Sequence, residues 1–208
     1  MERYGGRQDL ALRLYAWNLE LTAAFVGPLS MLEVVLRNSM HDVLRDGRAD
    51  DWWNTQFVHL APREAQMLTD AINKLFDAGV REPTADDVVA ATNFGFWIGL
   101  MDAGLARDRL YDYETSLWRP RLHKAFPHRG DLGRRHIHRQ LNRVRKFRNR
   151  VMHNEPIFNQ GFGEIEQLIF DCISLVEPEV AEYVRASHRI DEVVARKEAS
   201  VASGECRI

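Results

Sequence analysis

The chain has 208 residues, 45% of them hydrophobic and 28% charged, which is enough for one domain with a sizeable core. Its 28 Lys and Arg against 30 Asp and Glu leave a net charge of -2, so bulk charge names no polyanionic partner. Two cysteines, Cys172 and Cys206, exclude a disulfide framework and a zinc-finger spacing and point to a reducing compartment.

The N-terminal MERYGGRQDL lacks the apolar stretch of a signal peptide. The run read as most apolar, VVAATNFGFWIGLMDAGLA, is broken by Thr92, Asn93, Gly95, Gly99 and Asp102 and makes a poor membrane span. A cytoplasmic protein with no membrane partner is expected.

Helical periodicity dominates. Leu10, Leu14, Trp17 and Leu21 form one stripe, which predicts an amphipathic helix over 9–26. Gly27 and Pro28 interrupt it, and Pro28 suits the first turn of a second helix. That helix buries Leu29, Leu32, Leu36, Met40, Val43 and Leu44 and closes at Gly47. DWWNTQF reads as a loop whose aromatics pack on the bundle. Pro62 opens a helix with Met67, Leu68, Ile72 and Leu75 inward, ended by Gly79. Thr84 caps the next, with acidic residues in its first turn. Gly95 and Gly99 fall on one helical face and allow close packing; a flexible gate is the alternative. A long helix is expected from about Gly133 to His153, then a pair at roughly 162–175 and 177–197. Residues 1–198 read as a single all-α domain and 199–208 as a disordered tail.

Charge is unevenly spread. Between Arg119 and Arg150 stand twelve Lys and Arg and one acidic residue, Asp131. Ile137, Leu141, Val144, Phe147 and Val151 give the long helix a core face, and the opposite face is almost wholly Arg and His. A surface that positive repels itself unless it meets anions, which is the footprint of phosphate binding. The alternative is a solvated face with acidic partners from elsewhere in the chain.

FRNRVMHNEPIF ends that helix. Asn149 and His153 are four apart and share a side, and Arg148 has the reach to join them. These groups suit transesterification of RNA. An imidazole can take the 2'-hydroxyl proton, a planar guanidinium can bind two phosphoryl oxygens in the transition state, and Asn can orient either. No metal is needed. Pro156 cannot continue the helix, so His153 belongs to its last turn.

RNRVMHNEPI resembles the Arg-Asn-x-x-x-His signature of HEPN domains, in particular their Abi-like (abortive infection) branch. LSMLEVVLRNSMHDVL, NFGFWIGLM and LWRPRLHKAFP resemble further segments of that branch, so the resemblance spans roughly residues 10 to 165. It implies an all-α HEPN-like helical bundle with additional peripheral helices. It also implies a metal-independent endoribonuclease working as a homodimer in phage defence or as a toxin, without a cofactor. Carried over by position, the catalytic residues are Arg148, Asn149 and His153. Arg139, Arg143, Arg145 and Arg150 are the expected RNA contacts, and an antitoxin or regulatory protein is a further expected partner. Some HEPN domains bind nucleic acid or a protein without cutting, which is the alternative function.

Arg37, Asn38 and His41 form a second constellation. They are either a supporting wall of the same cleft or a helix surface on which Arg37 pairs with Glu33 one turn earlier. No metal site is expected, because His136 and His138 lie about 200° apart on a helix and no His-Glu-x-x-His or Cys-x-x-Cys is present.

Overall fold

One stripe of large side chains sets the architecture. In the computed structural model, which describes residues 8–207, Trp17, Leu21, Phe25, Leu29, Leu32, Leu36, Met40 and Leu44 recur at three- and four-residue spacing and are all buried. They lie on a single helix, α1 (Gln8–Arg45), and not on the two helices expected from Gly27 and Pro28. Pro28 removes one helical hydrogen bond and costs about 3 kcal/mol. Each large apolar side chain that the continuous stripe buries contributes about 1.5–3 kcal/mol, so continuity wins.

The other helices gather around α1. They are α2 (Pro62–Asp77), α3 (Ala85–Ala91), α4 (Phe94–Gly99), α5 (Arg134–Met152), α6 (Phe162–Ser174), α7 (Pro178–Ser187), α8 (Ile190–Ala195) and α9 (Lys197–Ser203). Helices α4, α5, α6, α8 and α9 all pack on α1. Among the described residues there is no strand, only an isolated bridge between Gly104 and Asp112, and the fold is all-α. By length and composition α1 is apolar enough to cross a membrane, and half of that window is buried inside the fold. The run singled out from sequence instead becomes α3, α4 and turns, with Phe94, Phe96, Trp97 and Ile98 in the core.

Several local expectations are met. Thr84 forms a reciprocal capping box with Asp87 at the start of α3. Trp52 is buried, in a single 3-10 turn, and Trp53 packs partly against the core, whereas Phe57 of the same stretch is exposed. Gly99 serves packing, since a Cβ there would sit 2.5 Å from Oε1 of the buried Glu64.

Two expectations at the C-terminal end are corrected. The helix expected at 177–197 breaks at His188, whose backbone is extended and whose Nδ1 accepts the Ile190 N–H at 3.2 Å. The break lets α8 bury Ile190 and Val193 against α1, where the Trp17 indole donates to the Val193 carbonyl at 2.9 Å. The tail expected to be disordered from 199 is helical through Ser203. Glu20 on α1, fully buried, holds it: Arg196 pairs with one carboxylate oxygen and the Arg207 N–H donates to the other at 3.3 Å. Residues 1–7 of the N-terminal segment and Ile208 lie outside the described residues.

Candidate functional site

Helix α5 lays its five apolar residues, Ile137, Leu141, Val144, Phe147 and Val151, into the core. That orientation fixes where every cation points. Arg135, Arg139, Arg143, Lys146 and Arg150 are spaced four, four, three and four apart, an arc of about 80° on the outer side. The first four are exposed and Arg150 is half-buried. Arg143 lies 3.4 Å from Glu164 and Arg150 3.8 Å from Glu155. Such surface pairs are worth about 0–1 kcal/mol and yield readily to a competing anion.

Not every Arg of the basic window belongs to this stripe. Arg145 sits about 120° around the helix from its middle and folds back, with Nε and Nη2 on the Asn142 Oδ1 at 3.0 and 2.8 Å. Arg134 is buried and structural, bonded to Glu114 at 2.8 Å and to the Met101 carbonyl at 2.8 Å. That bond holds the Glu114 carboxyl below the usual glutamate value.

The end of α5 is built by a Schellman motif. Asn154 takes a left-handed conformation, φ 52°, which Asn tolerates better than most residues. The Glu155 N–H then reaches the Arg150 carbonyl at 2.9 Å and the Asn154 N–H reaches Val151 at 3.1 Å. His153 is thereby the C-cap and is exposed, as is Asn149, whose carbonyl accepts the His153 N–H at 3.0 Å. Asn18 of α1 fixes the chain that follows. It is fully buried, its Oδ1 accepts the Ile157 and Phe158 N–H groups at 2.7 and 3.3 Å, and its amide donates to Glu155 at 3.4 Å.

Arg148 takes another direction. It lies five residues from His153, hence about 140° around the helix, on the flank facing α1. There its Nη2 is 3.4 Å from Oε2 of Glu33. Among the described residues no hydrogen bond or ion pair joins Arg148 to Asn149 or His153. One chain therefore brings Asn149 and His153 together but not Arg148 with them. Glu33 is taken by Arg148 and not by Arg37, as the one-turn spacing had suggested. Sequence reasoning missed Glu33, Asn18, Arg135 and Lys146 as parts of this region. Helical phase could have found the last two; the first two act across more than a hundred residues of sequence.

One group of possible metal ligands stands apart from α5. Glu166 on α6, His188 and Asp191 bring ligand atoms within 4.8 Å of one another. Burial, and then Asp191, push the Glu166 carboxyl up to about 7. His188 Nδ1 is 3.4 Å from it but already accepts the Ile190 N–H, so that nitrogen brings the carboxylate no proton.

Comparison with protein-family models, with curated proteins and with solved structures finds no match for this chain.

Proposed function

We propose that the protein is a metal-independent endoribonuclease of HEPN type, from the Abi-like branch, acting as a homodimer in phage defence or as a toxin. The observation that carries this is the outward stripe of Arg135, Arg139, Arg143, Lys146 and Arg150, which ends beside an exposed imidazole, His153. A row of exposed cations at helical spacing can follow a phosphate backbone. An imidazole at its end can exchange a proton near neutral pH.

In the reaction the 2'-oxygen attacks the adjacent phosphorus and the bond to the 5'-oxygen breaks. One imidazole takes the 2'-hydroxyl proton and a protonated group returns one to the leaving oxygen. Because Arg148 and His153 diverge in one chain, two copies are needed to assemble a guanidinium and two imidazoles around one phosphate. Glu33 serves as the positioning residue for Arg148. The reading places the protein in the cytoplasm, restrained by an antitoxin or regulatory protein.

A second reading is a HEPN module that binds nucleic acid or a partner protein without cutting. The Arg148–Glu33 pair favours it, since it turns the guanidinium away from His153 and towards α1. Purified protein incubated with total RNA in EDTA separates the two. Cleavage leaving 2',3'-cyclic phosphate and 5'-hydroxyl ends, lost in His153→Ala and in Arg148→Lys, supports the nuclease; about 10²–10⁴ in rate is expected for loss of a general acid or base. RNA retained by the wild type but never cut, with His153→Ala indistinguishable, establishes the binding module instead. A monomer by light scattering at micromolar concentration refutes the composite site.

A further inference from the structure

Helix α1 carries polar groups that none of the steps proposed for α5 uses. Arg37, Asn38, His41, Asp42 and Arg45 of α1 line one wall of a cleft of ≈ 400 Å³, and Asp86 of α3 stands on the other. His41 is only 4% exposed. Its Nδ1 accepts the Trp52 indole N–H at 3.1 Å. An indole nitrogen only donates, so in a neutral His41 ring the proton is on Nε2. Burial, and then Arg45, hold this imidazole below the usual histidine value and so in its neutral form. The Nε2–H is therefore a fixed donor, buried, with no acceptor among the described residues.

Arg37 lies one turn before His41 and shares its face. Among the described residues its Nε–H is likewise buried and without a partner, and no carboxylate pairs with it. Leaving two such donors unmet is costly, and each is relieved by an acceptor oxygen from outside. The charges around them say which kind. Arg45 is already held by Asp42 at 3.0 Å and Asp50 at 3.2 Å, so among the described residues of this cleft Arg37 is the cation outside any ion pair. Asp86 on the rim opposes a second negative charge.

We propose that Arg37 and His41 form a subsite for a singly charged phosphodiester, its non-bridging oxygens accepting from the Arg37 guanidinium and the His41 Nε2–H. Glu33, which holds Arg148, lies one turn before Arg37 on the same helix, so the subsite neighbours Arg148 and lies away from the outward stripe of α5. As a contact for RNA it rests on the nucleic-acid reading; as a phosphodiester site it does not.

The test uses the whole protein and two probes. In the first arm dimethyl phosphate, a monoanionic diester, is titrated at constant ionic strength while the His41 Nε2–H and Trp52 Nε1–H signals are followed by nuclear magnetic resonance. Both signals should move and saturate in the wild type, and Arg37→Gln should weaken that binding at least tenfold with the folded spectrum retained. Inorganic phosphate above its second ionisation should bind less well than the diester. No movement in the wild type, or equal binding by Arg37→Gln, overturns the subsite. In the second arm a single-stranded oligoribonucleotide is bound across a salt series. Arg37→Gln should flatten the slope of log affinity against log salt by about 0.7, the share of one phosphate contact. RNA binding untouched by Arg37→Gln, without a response at His41, refutes the subsite alone. Dimethyl phosphate bound with no RNA affinity keeps the subsite and refutes the nucleic-acid reading.

Discussion

Replacing Asn18 by Leu removes hydrogen bonds from the core while keeping the branching and the number of heavy atoms of the side chain. In the wild type one side-chain oxygen serves two backbone donors, at 2.7 Å from Ile157 and 3.3 Å from Phe158. Ile157 is fully buried, so its orphaned N–H cannot turn to water and falls near the upper end of the ~1–3 kcal/mol cost of an unmet buried donor. Phe158 is partly exposed and its bond is longer, so it falls near the lower end. The long bond from the Asn18 amide to Glu155 adds little at 3.4 Å. Leu keeps the branching of Asn but is bulkier, so no cavity forms and the tighter fit around its methyl groups adds further loss. The hydrogen bonds alone contribute about 2–4 kcal/mol, a lower bound on the loss. With a urea slope of about 2 kcal/mol per molar, the unfolding midpoint followed by circular dichroism should fall by at least about 1–2 M. Amide exchange at Ile157 and Phe158 should speed up more than at the core of α5, because the segment behind His153 has lost its anchor. A midpoint within about 0.3 M of wild type, with unchanged exchange at those two amides, would refute the reasoning.

Arg134→Met should destabilise the fold by about 2–3 kcal/mol, somewhat less than a fully buried pair because Glu114 keeps some access to water; Arg135→Met, its exposed neighbour, should stay within about 0.5 kcal/mol in the same denaturation experiment. Glu166 gives a pH signature. Its folded value of about 7 lies above the ordinary glutamate value of 4.5, so the folded state binds more protons between the two. Stability from this group is fully present below 4.5 and is lost as pH rises through 7; Glu166→Gln should flatten that stretch and be more stable at pH 8 by about 2–3 kcal/mol. Pro28→Ala should raise stability by about 1 kcal/mol. The restored helical bond outweighs the lost ring burial and the looser unfolded chain. A melting temperature below wild type would show that Pro28 carries more packing than this.

What could be read from sequence and what could not divides along the range of the interactions. The capping box at Thr84, the core face of α5 and the end of α2 near Gly79 are set within one or two helical turns, and the spacing of the residues reveals them. Pro28 misled because a local penalty was weighed without the eight buried side chains on either side of it. Arg148 misled because chain adjacency to Asn149 does not mean a shared direction on a helix, and its partner Glu33 comes 115 residues earlier. The tail looked disordered because the buried Glu20 that holds it lies far away in sequence. His41 was visible as a candidate, but only the Trp52 contact assigns its free donor.

The anchoring of α1 by α8 and α9 also has a consequence for synthesis on the ribosome. The Trp17 indole finds its acceptor 176 residues later, at Val193, and Glu20 finds Arg196 at the same remove. As the chain emerges, α1 leaves the exit tunnel long before the segments that cover its N-terminal half exist. The N-terminal half of its apolar stripe must stay open to solvent or to a chaperone until α8 and α9 have followed it out. A stop codon after α7 would leave Glu20 without its cation and Trp17 without its acceptor, so such a fragment should be held by chaperones or degraded. Emergence of α8 and α9, not of the first helix, sets when the N-terminal half of α1 can be covered.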